Sequence, residues 1–275
     1  MFVLRMIRVW TWLAVAALTL SGQIRYATGQ EVAPVFEGWE PNPDGSFSLI
    51  FGYLNRNYEE EVDIPIGPDN SFEPGVDRGQ PTHFYPRRQR FLFKVVVPKD
   101  WDKQKRVVWT LTSRGRTHQA KGWLQPEWEL NDGVIAENNG GGVLDPDNKP
   151  PSITGSSHQT VTLSNPVMLT ASATDDGLPK RAPRPSSANS NSDPGLNPNP
   201  ATARRQPGVQ IKWIQYRGPG KVEFEPDTSG PEVYGKPVTL TSKASFSVPG
   251  EYVLRAVASD GQLFSIHEVK ITVAR

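Results

Sequence analysis

Four histidines, at positions 83, 118, 158 and 267, each stand alone in the sequence, without a His-Glu-x-x-His pair. There is also no Gly-x-Ser-x-Gly turn and no phosphate-binding glycine loop. Cysteine is absent, which removes thiol nucleophiles, zinc–thiolate sites and cysteine-held iron–sulfur clusters. Glu59-Glu60-Glu61 lies in a polar run with nothing nearby in sequence to shift a pKa, so a glycosidase pair is not indicated. What remains to the chain is coordination and contact, and the expectation is a non-enzyme without a catalytic residue or an organic cofactor. A hydrolase would need a deep polar cleft assembled from residues remote in sequence.

Coordination is offered by Asp175 and Asp176, which follow one apolar alternating run, and by Asp260, which follows another. Carboxylates brought together repel unless something positive joins them, and outside the cell a hard, oxygen-seeking Ca²⁺ is the usual remedy. The competing reading is that Asp175-Asp176-Gly177 and Asp260-Gly261 are turns whose side chains cap backbone amides. Contact is offered by Asn55, Arg56, Arg78, His83, Tyr85, Arg87, Arg88 and Trp101, where planar polar groups flank aromatic faces. Such surfaces suit glycans or peptides, and Arg is a frequent binding anchor. Strand-end turns and solvated rims are the alternative for the same residues. Trp101, inside the polar loop from Lys99 to Arg106, is the tryptophan expected to be exposed.

These residues have to be positioned by strands. Phe91, Phe93, Val95 and Val97 share one parity, as do Val107, Trp109 and Leu111, which predicts two half-buried strands facing a common core. Further strands are expected over 47–53, 61–66 and 117–124, and no stretch reads clearly as a helix. Residues 30–131 are therefore expected to form an N-terminal β-sandwich. Residues 132–150, with Gly140-Gly141-Gly142 and then Pro150-Pro151 just beyond, read as a flexible Gly/Pro/Asn linker.

A second sandwich is expected over 151–275, from strands at 159–163, 167–174, 209–216, 221–225, 244–247, 252–258 and 264–273. Within 250–259, Tyr252, Leu254, Ala256 and Ala258 fall on one face, while Glu251, Arg255 and Ser259 fall on the other. Trp109, Trp213 and Tyr252 are expected to be core. The insertion 178–208 carries seven prolines and almost no large apolar residue, so it is expected to stay out of the packed structure.

Arg5 and Arg8 precede the apolar run Val9 to Leu20, and Ala27 and Gly29 supply small residues for cleavage. That pattern predicts a secretory signal over 1–29. The run is shorter than the roughly 20 residues a spanning helix needs, so no transmembrane span is expected after cleavage. Cleavage removes Arg5, Arg8 and Arg25 and no acid, taking the net charge from +1 to −2. Nucleic acid is thus not an expected partner. A protein or glycan at the cell envelope is, with the mature chain periplasmic or extracellular. The oligomeric state is not encoded in any pattern here.

Residues 150–275 resemble the PKD-like and cadherin-like branch of immunoglobulin-fold modules found in exported bacterial proteins. The resemblance rests on Pro150-Pro151-Ser152-Ile153, Ala173-Thr174-Asp175-Asp176-Gly177-Leu178-Pro179, Trp213, Gly218-Pro219-Gly220-Lys221-Val222, and Pro249-Gly250-Glu251-Tyr252 leading into Ala258-Ser259-Asp260-Gly261. It implies a seven-stranded sandwich with Trp213 packed at its centre and Tyr252 tying a corner through its hydroxyl. The disulfide of antibody domains is not carried over, since alanines stand in its place. Phe51-Gly52-Tyr53-Leu54-Asn55-Arg56-Asn57 and Gly79-Gln80-Pro81-Thr82-His83-Phe84 are similar to an uncharacterised exported bacterial β-module, which implies secretion and no activity. The combined expectation is an all-β chain of two immunoglobulin-like sandwiches, acting as a binding or adhesion module or as a structural spacer in an envelope assembly.

Overall fold

The computed structural model describes residues 26–179, 208–229 and 235–275. Most of the expected signal segment and nearly all of the expected insertion lie outside the described residues. Of the signal segment, residues 26–29 are described, and the carbonyls of Tyr26 and Ala27 accept from the amides of Tyr58 and Glu59.

The chain is all-β and builds two sandwiches. In the first, β1 (Val32–Pro41), β2 (Phe47–Asn55) and β6 (Arg87–Val97) form one antiparallel sheet. β4 (Asn70–Glu73), β7 (Val107–Ser113) and β8 (Arg116–Gly122) form the second sheet, with β3 (Val62–Asp63) paired to β5 (His83–Phe84) at the side. Inward residues of period two fill the space between. Trp109 is fully buried and meets Phe51, Phe93 and Phe72 edge-on or stacked. Its indole N–H donates to Asn70 Oδ1 at 3.0 Å, so the ring's one polar atom is satisfied inside an aromatic core.

In the second, β9 (Ser152–Gly155), β11 (Val167–Thr174), β14 (Val238–Phe246) and β13 (Val222–Glu225) form one sheet. β10 (Gln159–Thr162), β16 (Phe264–Ala274), β15 (Gly250–Ser259) and β12 (Gln210–Arg217) form the other. Trp213 is 1% exposed at the centre of this core, stacked on Phe224. Tyr252, equally buried, donates from its hydroxyl to the Val248 carbonyl at 2.7 Å. Gly218 lies so close to the Tyr252 ring that a Cβ there would sit 2.2 Å from it, so the corner requires glycine.

Four strands and one helix depart from the sequence reading, the shortest being β5 with two residues. β1 was hidden by Pro34, Gly38 and Pro41, which punctuate an otherwise alternating run, and β4 and β9 are only four residues long. Residues 132–150, read as flexible, contain α1 (Asp132–Asn138). Its Asn131 cap accepts from Val134 N at 3.0 Å, a start signal overlooked because Gly133 and its polar neighbours read as loop. Val134 and Ile135, and Phe264 from the second sandwich, pack against the cluster of Ile50, Phe91 and Leu130.

Candidate functional site

Beyond the exposed Glu251 and half-buried Val253, β15 keeps no solvent face. Arg255, Val257 and Ser259 are buried like their inward neighbours, because the first sandwich lies against the outer face of the β12–β15–β16 sheet. Ile214 and Val257 on that face are packed against by Tyr85 of the first sandwich and by Ile266, and Tyr216 enters the aromatic core of the first sandwich. Tyr216 Oη donates to the Gly79 carbonyl, and Tyr85 Oη accepts from Gln215 N at 2.9 Å. Thr82 N donates to the Tyr216 carbonyl, while Thr82 Oγ1 accepts from Gly218 N. Arg217 makes a two-pronged pair with Asp77, at 2.7 and 3.0 Å, which holds the Asp77 carboxyl below its usual range. Arg255 lies over the Tyr216 ring, pairs with Glu268 at 2.6 Å and donates to the Leu92 carbonyl at 2.7 Å.

Of the expected contact residues Tyr85 lies in this junction, and most of the others are held by partners within the first sandwich. His83 is 4% exposed, with Nδ1 2.8 Å from Asp63 Oδ1 and Nε2 3.5 Å from Glu61 Oε2. Asn55 is fully buried, and its amide donates to the carbonyls of Glu60 and Phe84. Arg88 pairs with Glu37 at 2.6 Å, and burial pushes the Glu37 carboxyl up in spite of that partner. Arg87 lies over the Tyr58 ring, and Trp101 is half-buried beneath Lys105, its indole N–H donating to the Lys105 carbonyl. Arg56, 3.5 Å from Glu31, keeps an exposed side chain, while Arg78 is half-buried and donates to the carbonyls of Pro74 and Val96. The eight contact candidates therefore form no single surface.

The other pole of the second sandwich gathers carboxylates. Asp175 and Asp176 follow β11 and Asp260 follows β15, close enough that their charges bear on one another. Burial, and then the charges of Asp260 and Asp176, push the Asp175 carboxyl up to about 6. Burial likewise raises Asp260, which is 6% exposed. Part of the cluster is turn chemistry. Asp260 Oδ1 accepts from the amides of Gln262 and Leu263, and Asp175 Oδ2 from Gly177 N. Asp176 spends both oxygens, accepting from Lys149 N and Leu178 N.

What is left over is informative. Asp175 Oδ1, Asp260 Oδ2 and Asn148 Oδ1 are buried acceptors without any hydrogen-bond donor. Buried acceptors in native proteins nearly always have a partner, since an orphan forfeits its hydration. Asn148, 8% exposed, comes from the segment between the sandwiches and lies near enough to Asp260 to stabilise its charge. Gln262 fixes it there, accepting from Asn148 Nδ2 at 3.0 Å while donating to the carbonyls of Gly141 and Val143. No group of three or more His, Cys, Asp or Glu among the described residues is arranged to hold a metal. The three orphaned atoms are two carboxylate oxygens and an amide carbonyl oxygen, hard donors of the kind Ca²⁺ takes. Sequence reasoning placed Asp176 in the set and missed Asn148 and Gln262, whose roles appear only when the crossing segment is folded back on the turn after β15.

No protein family and no curated protein sequence matches the chain. Among solved structures, the PKD domain (329–428) of human KIAA0319 is similar at 18% identity, covering 49% of this chain and 92% of that one, with a TM-score of 0.23. Domains 4 and 5 of the S-layer protein SbsC align over 90% of this chain and 98% of theirs, at 9% identity and a TM-score of 0.27. The D00-D0 domain of intimin aligns over 89% of this chain and 100% of its own, at 9% identity and a TM-score of 0.26. At such scores the sandwich assignment rests on the strand order and register of this chain itself. No helix among the described residues is long and apolar enough to cross a membrane.

Proposed function

We propose that the chain is an exported, non-catalytic module of the cell envelope, whose acidic pole binds Ca²⁺ and whose exposed sandwich faces contact protein or glycan. The observation that carries this reading is the trio of donor-free buried oxygens on Asp175, Asn148 and Asp260. A divalent cation would satisfy all three and offset the burial and, after it, the repulsion that raise Asp175. Asn148 would tie the crossing segment to the second sandwich through the same ion. Extracellular sites of this kind bind at about 10⁻⁴ to 10⁻³ M. Calorimetric titration of the chain with CaCl₂ should give one binding event in that range, and Asp260→Asn should abolish it. No heat of binding at millimolar Ca²⁺ would reject the calcium part of the reading.

A spacer role is the second reading, and the junction favours it. Hydrogen bonds, a two-pronged Arg217–Asp77 pair and apolar packing fix one sandwich along the face of the other. Such a unit would hold a set distance in an envelope assembly. A glycan array and a pull-down from the native envelope separate the two: a captured ligand favours adhesion, and persistent silence in both favours the spacer.

A further inference from the structure

We propose that the His83 imidazole is a pH-sensitive latch of the junction. Protonated, it holds Glu61 and Asp63 together; on losing its proton it loosens the 79–85 segment from the end of β12.

The geometry puts one ring between two acids. Asp63 and His83 stand directly opposite each other in the β3–β5 pair, which fixes Nδ1 2.8 Å from Asp63 Oδ1. The other ring nitrogen, Nε2, sits 3.5 Å from Glu61 Oε2. An imidazolium has two N–H groups and can serve both carboxylates, whereas neutral imidazole has one. After deprotonation one carboxylate therefore faces a ring lone pair instead of a donor, at a site where the imidazole is only 4% exposed.

The neighbours of His83 in sequence are the residues that grip the second sandwich. Thr82 exchanges hydrogen bonds with Tyr216 and Gly218, and Ile64, next to Asp63, donates to the Thr82 carbonyl. Tyr85 meets the His83 ring edge-on at 4.7 Å and accepts from Gln215 N. A shift of the ring or of β3 is thus passed directly to four backbone groups of the junction.

Other charged and titratable groups around the ring are few and set the balance. Lys221 of the second sandwich acts on Glu61, and Asp227 acts on Tyr85 together with Glu61 and Asp63. Tyr53 and Tyr252 feel Glu61 and Asp63 respectively. Burial pulls the His83 pKa down, but the hydrogen bonds to Asp63 and Glu61 outweigh it and leave the value raised. A histidine whose folded value exceeds its unfolded one stabilises the fold fully below about 6.5, and that contribution disappears as pH climbs through the folded value. The junction is therefore tightest on the acid side and slackens as the medium turns alkaline.

The chain has no cysteine, so Val96→Cys and Met168→Cys, both at exposed positions on different sandwiches, give one clean spin-label pair. Pulsed electron-spin distance measurements should show a narrow distribution at about pH 5.5 and a broader one at about pH 8.5. In His83→Gln the two distributions should coincide. An unchanged width in the parent, or a pH response that survives His83→Gln, overturns the latch. If His83→Gln does not fold, nuclear magnetic resonance on the unsubstituted chain decides. A shared titration midpoint for the His83 ring and the Gln215 and Gly218 amides supports the latch, and separate midpoints overturn it.

Discussion

The junction and the acidic pole are built from the same kinds of side chain, and they differ in whether those side chains find one another. At the junction Arg255 meets Glu268, Arg217 meets Asp77, and His83 lies between Glu61 and Asp63. At the pole, Asp175, Asp260 and Asn148 each keep a buried oxygen without a donor. A buried polar group that is paired holds structure together; one that is not is strain unless a ligand arrives. The difference teaches where to look for a ligand. Asn55, His83, Tyr85 and Arg88, which looked like part of a recognition surface, hold the fold, and the turns after β11 and β15 are where a cation is expected.

The comparison breaks most visibly if the second core is not what positions both regions. Trp213→Ala should cost roughly 3 to 5 kcal/mol, the range for deleting a buried large aromatic, read as a shifted urea midpoint. A loss below about 1 kcal/mol would be ordinary for any site and would mean the sheets are not clamped by this ring.

Next in size is the junction. Arg255→Ala removes a donor to the Leu92 carbonyl and leaves Glu268 without its partner, at a cost of about 1 to 3 kcal/mol. Calorimetric melting should then change from one transition to two, as the sandwiches uncouple. A single transition, shifted or not, would show that Arg255 does not carry the coupling.

The smallest expected effect tests the pole. Asp175 has a folded value of about 6, above its unfolded one, so the folded form holds its proton over a range where the unfolded form has lost it. Its contribution to stability is therefore complete at acid pH and is lost as pH rises through about 6. Saturating Ca²⁺ should reverse that loss, because the cation replaces the proton. At ten times its dissociation constant, a ligand adds about 1.4 kcal/mol to the folded state. A melting temperature indifferent to Ca²⁺ at about pH 8 would leave the orphaned oxygens without an occupant.

Much of the fold was legible in the sequence because period-two alternation over 91–97, 107–111, 167–173 and 252–258 is what a half-buried strand must show. β1 was missed because Pro34 and Gly38 interrupt its pattern, and a strand of four residues such as β9 offers too few alternations to register. Arg255 misled for a different reason. A charge in alternating register reads as a solvent face, and only the docked first sandwich makes it buried. The candidate site was half legible. Asp175 and Asp260 were read from carboxylates ending two strands, but Asn148 is one of many polar residues in a loop-like segment, and its role depends on Gln262 folding that segment back. No local spacing records such a contact, since the two residues are joined through space alone.

The most direct test is a crystal structure of the chain grown in Ca²⁺, read at the pole. The account expects a single strong density peak at about 2.3 to 2.6 Å from Asp175 Oδ1, Asn148 Oδ1 and Asp260 Oδ2, with waters filling the remaining positions. Density for nothing but water between those three oxygens, in crystals holding millimolar Ca²⁺, would contradict it.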